Sequence, residues 1–468
     1  MKMLKYILKY KNKTIFVDKN RKITCKIIQS QFSYLKKKIK TKKLVLLICK
    51  NNFESIMIYL YCLYNKNPVI LLDESTKSKF LNNIITKYKP AYLYVTKKKN
   101  VINKNYRSIY SNEEFNLLAL QNQINYRVNN DLAVLISTSG STGTPKMVKL
   151  SYKNLDSNAL SISKYLNITK DNISITTLSF SYSYGLSVIN THLLKGAKII
   201  LNEFSMLEKK FWERVKKNKV DSFACVPYNI ELLIKINFFN KKYSSLKYLT
   251  IAGGALNLNS WKYIIQNKKK LKIFVMYGQS EASPRISYLP HQMFEKKIGS
   301  IGIPIPSGNL YIKKMKKIEL ANNNEIGELI YRGENVFLGY ANSYKSLIKS
   351  DCQNGVLKTG DIAYVDRDGY FFLYGRIKRI AKIFGSRINL DDIERMLLLK
   401  NLKAACISND QKLFIFIQKL KKYDYVDSTF ISRLVNIPSR FIELLKIDKF
   451  PLNKNKKLDY SKLKKEIR

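Results

Sequence analysis

A chain of 468 residues, 46% hydrophobic and 25% charged, has enough apolar material for a large core in two or more domains and excludes a disordered or fibrous protein. Lys and Arg number 84 against 34 Asp and Glu, a formal charge of +50 that by itself points to nucleic acid or an anionic membrane. The lysines are scattered among abundant Asn, Ile, Tyr and Phe, a joint excess that reads as AT-rich coding bias and a solvated basic surface, so no nucleic-acid partner is expected.

The six cysteines (25, 49, 62, 225, 352 and 406) form no CxxC pair, and only two histidines are present. Both facts argue against a zinc site and for a reducing, cytoplasmic setting. The opening MKMLKYILKYKNK is too short in apolar residues and too charged for a signal peptide. The apolar runs at 44–49 and 56–62 are split by KNNFES, so no membrane span is expected.

Leu44 to Cys49 has the pattern of a strand, Phe53 to Tyr64 that of a helix, and Pro68 to Leu72 that of a second strand. Leu81 to Tyr88 followed by Ala91 to Val95 repeats this unit, the grammar of a parallel sheet. Another buried-strand pattern, Ala133 to Ile136, runs straight into Ser-Thr-Ser-Gly-Ser-Thr-Gly-Thr-Pro-Lys, residues 137–146. Glycines let a backbone wrap an anion, hydroxyls and N–H groups donate to it, and Lys146 adds charge, so the loop reads as a phosphate cradle. It is not the Walker pattern.

Leu135 to Lys146 resembles the signature loop of the adenylate-forming (AMP-binding) superfamily of acyl-CoA synthetases, peptide-synthetase adenylation domains and D-alanine–carrier-protein ligase-like enzymes. That resemblance places Thr138, Ser139, Gly140, Ser141, Thr142, Gly143 and Lys146 on the nucleotide. Further motifs continue it in order. Between Ser174 and Leu201, a helix punctuated by Gly185 and Gly196 matches one wall of the acyl pocket. Amino-acid-activating members carry an aspartate there, and Ser183 stands in its place with no acidic residue nearby in sequence. An uncompensated ammonium would be costly, which counts against a plain α-amino acid substrate. His192 reads as a packed helix residue.

Tyr248 to Ile251 is a strand pattern leading to Gly253, Gly254 and Ala255, similar to the family's GGA turn against adenine. Tyr277-Gly278-Gln279-Ser280-Glu281 matches its YGxTE motif with serine for threonine. Tyr277 offers a face for a purine, Gly278 a close turn, Ser280 a donor to the α-phosphate, and Glu281 a hard oxygen for Mg²⁺. By the same resemblance Asp361 accepts the ribose hydroxyls, Arg376 reaches ribose or phosphate, and Lys378 sits at the hinge. PLNKNKKLDYSKLKK, from Pro451, resembles the terminal motif whose lysine is catalytic, here Lys457, with Lys456 replacing the usual glycine.

The resemblance implies an α/β fold: a large N-terminal domain of stacked α/β subdomains plus a small β-barrel, residues 1–376, followed by a small hinged α+β C-terminal domain, residues 377–468. It implies ATP-dependent activation of a small-molecule carboxylic acid, with Lys457, Glu281 and Ser280 catalytic, then transfer to coenzyme A or to the phosphopantetheine of a separate acyl-carrier protein. A nucleotide-binding homologue without turnover, motivated by Lys456, and an amino-acid-activating ligase are the competing expectations. Neither the acid nor the oligomeric state is legible.

Overall fold

A computed structural model describes all residues except 100, 102–104, 123, 138–145, 242, 315–325, 384–385, 410, 421–422, 424, 436, 454–457 and 468. Two compact units are present. The first comprises Met1–Leu310 with Tyr331–Leu357, the second Tyr311–Ile330 with Lys358–Arg468.

Two sheets build the first unit. One is eight-stranded, and its centre is the parallel set Tyr92–Thr96, Val45–Cys49, Val69–Asp73 and Leu132–Ser137. These strands are short and buried, and all but Tyr92–Thr96 are mainly aliphatic runs, the signature of a parallel sheet covered on both faces. Helix Phe53–Tyr64, capped by the Asn52 side chain accepting from Ser55 N at 3.2 Å, is buried along nearly its whole length. Met147–Ser151 pairs antiparallel with Leu132–Ser137.

In the other sheet Thr14–Asp18, Lys198–Leu201, Ile173–Ile175, Ser222–Cys225, Tyr248–Ile251 and Lys272–Gly278 are all parallel. Arg285–Leu289 and Ser300–Pro304 then continue it antiparallel. Helix Ser183–Lys195 stops at Gly196, whose φ of +62° is left-handed, and the chain turns into Lys198–Leu201 as expected. Gly185 differs from its reading as punctuation. It lies inside the helix, where a Cβ would come within 2.3 Å of the Ser179 carbonyl oxygen, so it serves close packing.

The second unit carries its own apolar interior. Strands Ala404–Ser408, Leu413–Gln418 and Ile442–Ile447 form a three-stranded sheet. Leu397, Ile415 and Ile431 are buried in one cluster and Phe416 and Leu463 in another. Ahead of that sheet, Ile380–Ile383 and Ser386–Asn389 pair as a hairpin, and Asn389 caps helix Leu390–Leu399. The fold is thus mixed α/β with a small C-terminal α+β part. Among the described residues no helix is long and apolar enough to cross a membrane.

Candidate active site

Parallel strands bring their carboxyl ends to one edge, where ligands of open α/β sheets bind. Here that edge displays Gly253, Gly254 and Ala255 after Tyr248–Ile251, and Gln279 to Ala282 after Lys272–Gly278. Gly253 has φ +90°, a conformation glycine alone adopts freely, and a Cβ there would stand 3.1 Å from the Tyr182 hydroxyl. Gly278 has no such choice either, since a Cβ would lie 1.9 Å from the Pro284 carbonyl oxygen. Tyr277 is buried, and Gln279 Nε2 donates to its hydroxyl at 3.3 Å.

Ser280 and Glu281 occupy a short 3₁₀ turn, Ser280–Ala282. The Ser280 hydroxyl lies 3.1 Å from that of Ser183, so the first residue of helix Ser183–Lys195 meets the motif directly. Glu281 is held on two sides. Its carbonyl accepts from Phe337 N at 2.8 Å, and its carboxylate Oε1 accepts from the Tyr340 hydroxyl at 2.8 Å. Burial and the neighbouring carboxylate push the Tyr340 hydroxyl pKa well up, so it stays a proton donor. Lys146 stands with Nζ 5.7 Å from the centroid of the same ring, within reach of a cation–π contact. Tyr340 therefore connects the end of the phosphate-type loop to the acidic residue of the motif. Sequence reading missed it because 59 positions separate it from Glu281, and an isolated tyrosine in a chain of 32 tyrosines carries no motif.

The remaining candidates belong to the second unit or lie outside the described residues. Asp361, 3% exposed, faces Arg376 across the antiparallel pair Val356–Val365 and Phe371–Arg376, and their side chains form an ion pair of 2.9 Å. Thr359 orients the turn: its hydroxyl donates to the Leu329 carbonyl at 2.7 Å and accepts from Asp361 N at 3.0 Å. Lys378 is exposed in the turn Ile377–Arg379, beside Arg379, which pairs with Asp391 and with Glu394. Tyr460 in turn donates to Glu394 at 2.8 Å. Thr138, Ser139, Gly140, Ser141, Thr142 and Gly143 lie outside the described residues, as do Lys456 and Lys457. His192 is packed as expected, with Nδ1 2.7 Å from the Val188 carbonyl oxygen and burial lowering its pKa.

The profile of the family described as AMP-binding enzyme matches residues 6–341, and the chain belongs to that family. Among curated relatives it is similar to probable 4-coumarate–CoA ligase 2 of Dictyostelium discoideum, 32% identical over 275 residues, covering 57% of this chain and 49% of the relative. It also resembles 2-succinylbenzoate–CoA ligase of Bacillus subtilis (strain 168), 27% identical over 267 residues, covering 57% of this chain and 53% of that one. The chain thus spans about half the length of the curated relatives it matches. In fold it is similar to o-succinylbenzoate CoA synthetase from Bacillus subtilis in complex with an acyl-adenylate intermediate, with a TM-score of 0.80 at 18% identity, covering 99% of this chain and 97% of that one.

Proposed function

We propose that the chain is an AMP-forming acid–thiol ligase. It activates a small carboxylic acid with ATP and passes the acyl group to a thiol, either coenzyme A or the phosphopantetheine of a separate carrier protein. The observation that carries this reading is the gathering of Gly253, Gly254, Tyr277, Ser280, Glu281 and Lys146 within one unit, on elements that end at or border the carboxyl edges of its strands. The family match and the acid–CoA ligase names of the relatives support it.

The chemistry follows from these groups. A carboxylate oxygen of the acid attacks the α-phosphorus of ATP, and the bond to the bridging oxygen of pyrophosphate breaks. Tyr277 and the glycine turn would hold the base, and Ser280 would donate to the α-phosphate. The loop at 138–146 would hold the β- and γ-phosphates. Asp361 would accept the ribose hydroxyls and Arg376 would contact ribose or phosphate. Lys457 would bridge the two reacting anions, with residues 377–468 turning at Lys378 between the half-reactions. The acid is already ionised, so no general base is required.

Glu281 suits Mg²⁺. It is a partly buried oxygen ligand with one oxygen fixed by Tyr340, and Mg²⁺ commonly takes one or two carboxylates and completes its shell with phosphate and water. Among the described residues no group of three or more His, Cys, Asp or Glu that could hold a metal ion is present. When bound, the ion would offset phosphate charge. A cytoplasmic, reducing setting is part of the proposal, supported by six free cysteines.

Exchange of labelled pyrophosphate into ATP across a panel of carboxylic acids, with and without coenzyme A, tests this reading. Acid-dependent exchange is expected, with thioester formed when a thiol is added. Measurable ATP binding without exchange for any acid would instead establish the nucleotide-binding homologue without turnover.

A further inference from the structure

Helices Tyr152–Tyr165 and Ser183–Lys195 and strands Ser222–Cys225, Tyr248–Ile251, Lys272–Gly278 and Arg285–Leu289 contribute to a cavity lined by Arg285, Tyr184, His192, Thr250, Ala224 and Met276, among others. Three of these residues lie near candidate active-site residues in sequence. Tyr184 follows Ser183, which meets Ser280; Met276 precedes Tyr277; Arg285 lies four positions beyond Glu281. The cavity is small, about 20 Å³, room for about one water-sized group such as a carboxylate oxygen and not for a long alkyl chain.

Arg285 is the anomaly in this wall. It is 2% exposed, and among the described residues no Asp or Glu forms an ion pair with it. Its guanidinium lies 4.6 Å from the Tyr184 ring centroid, and its Nε has no acceptor. Guanidinium stays protonated in proteins, and a buried cation without a counter-charge is among the costliest features a core can hold. Aromatic faces compensate only part of that cost. The Tyr184 hydroxyl is engaged with Thr250 Oγ1 at 2.7 Å. His192 adds an acceptor: Nδ1–H donates to the Val188 carbonyl, and the buried Nε2 has no partner. The cavity wall thus offers a permanent cation and a free acceptor, but no anion.

We infer that the acid activated by this chain carries a second anionic group, of carboxylate type, which enters this cavity and pairs with Arg285. The inference rests on the adenylation reading above, since the first carboxylate must lie toward Ser280. It also explains why Ser183 can replace an acidic residue: a substrate ammonium would meet Arg285 and be repelled.

The test is pyrophosphate exchange by the full chain with size-matched pairs: succinate against butanoate, glutarate against pentanoate, phthalate against benzoate, with alanine as a cationic control. At least one diacid is expected to exceed its monoacid partner in kcat/KM by about 100-fold or more. Arg285→Met should abolish or reverse that order, while Arg285→Lys, which keeps the charge, should retain part of it. If Arg285→Met does not fold, the order in the unmodified chain and in Arg285→Lys decides. Monoacids or alanine equalling or exceeding the diacids would overturn this inference and leave the adenylation reading standing. Exchange with other acids but with no diacid of this panel would overturn this inference alone, and exchange with no acid at all, despite ATP binding, would overturn both.

Discussion

At the scale of single residues, Tyr340 has the clearest unassigned role in the first unit. Its hydroxyl fixes one oxygen of Glu281 and its ring faces Lys146. Removing the hydroxyl leaves the ring contact and frees the carboxylate to rotate. Tyr340→Phe is therefore expected to raise the KM for MgATP several-fold and to change unfolding free energy by no more than about 1 kcal/mol, because a partly exposed hydrogen bond contributes little to stability. Steady-state exchange kinetics beside a urea titration separate the two effects. An unchanged KM would remove Tyr340 from the site. What was legible at this scale followed chemical type. Gly253, Gly278, Ser280 and Glu281 stand in short, ordered strings whose geometry admits few substitutes. Arg285 belongs to none of these strings, and its meaning depends on which carboxylates lie near it, which three-dimensional surroundings decide.

At the scale of elements, helix Tyr152–Tyr165 holds the segment that carries Tyr340. Its Ser151–Asn154 capping box satisfies the first turn, and Asn154 Nδ2 also donates to the carbonyls of Glu334 and Val336, each at 2.7 Å. One buried amide thereby joins a helix start to a loop 180 residues away. Asn154→Ala should cost about 2–4 kcal/mol, from the lost cap and two unsatisfied carbonyls. It should also weaken exchange more than Tyr340→Phe does, because the whole segment loses its anchor. Chemical denaturation and exchange on the same preparation check both. A loss under 1 kcal/mol would contradict this account. The strand–helix alternation was readable because buried parallel strands are uninterrupted apolar runs. The order of the strands was not, because pairing partners such as Thr14–Asp18 and Lys198–Leu201 are far apart in the chain.

For the whole molecule, ligand linkage gives the broadest check. A nucleotide that binds only the folded state stabilises it by about 2.7 kcal/mol at 100 times its Kd. MgATP should therefore raise the calorimetric Tm, and removing Mg²⁺ with a chelator should diminish the shift. No movement of any transition at saturating MgATP would contradict ATP as substrate. The charge of +50 is a separate matter. Steep salt dependence of any DNA or RNA binding would reveal a polyelectrolyte partner that the fold does not require.

The second unit's two apolar clusters draw every member from between Ala381 and Ile467. A recombination breakpoint near the turn Ile377–Arg379 would therefore sever no contact inside either cluster. It would still break bonds to strand Phe371–Arg376, such as Arg376 N to Asp391 Oδ2 at 3.0 Å, so the interior of this segment is self-contained while its attachment is not. Descent traced through residues 6–341 is the history of that part of the chain alone.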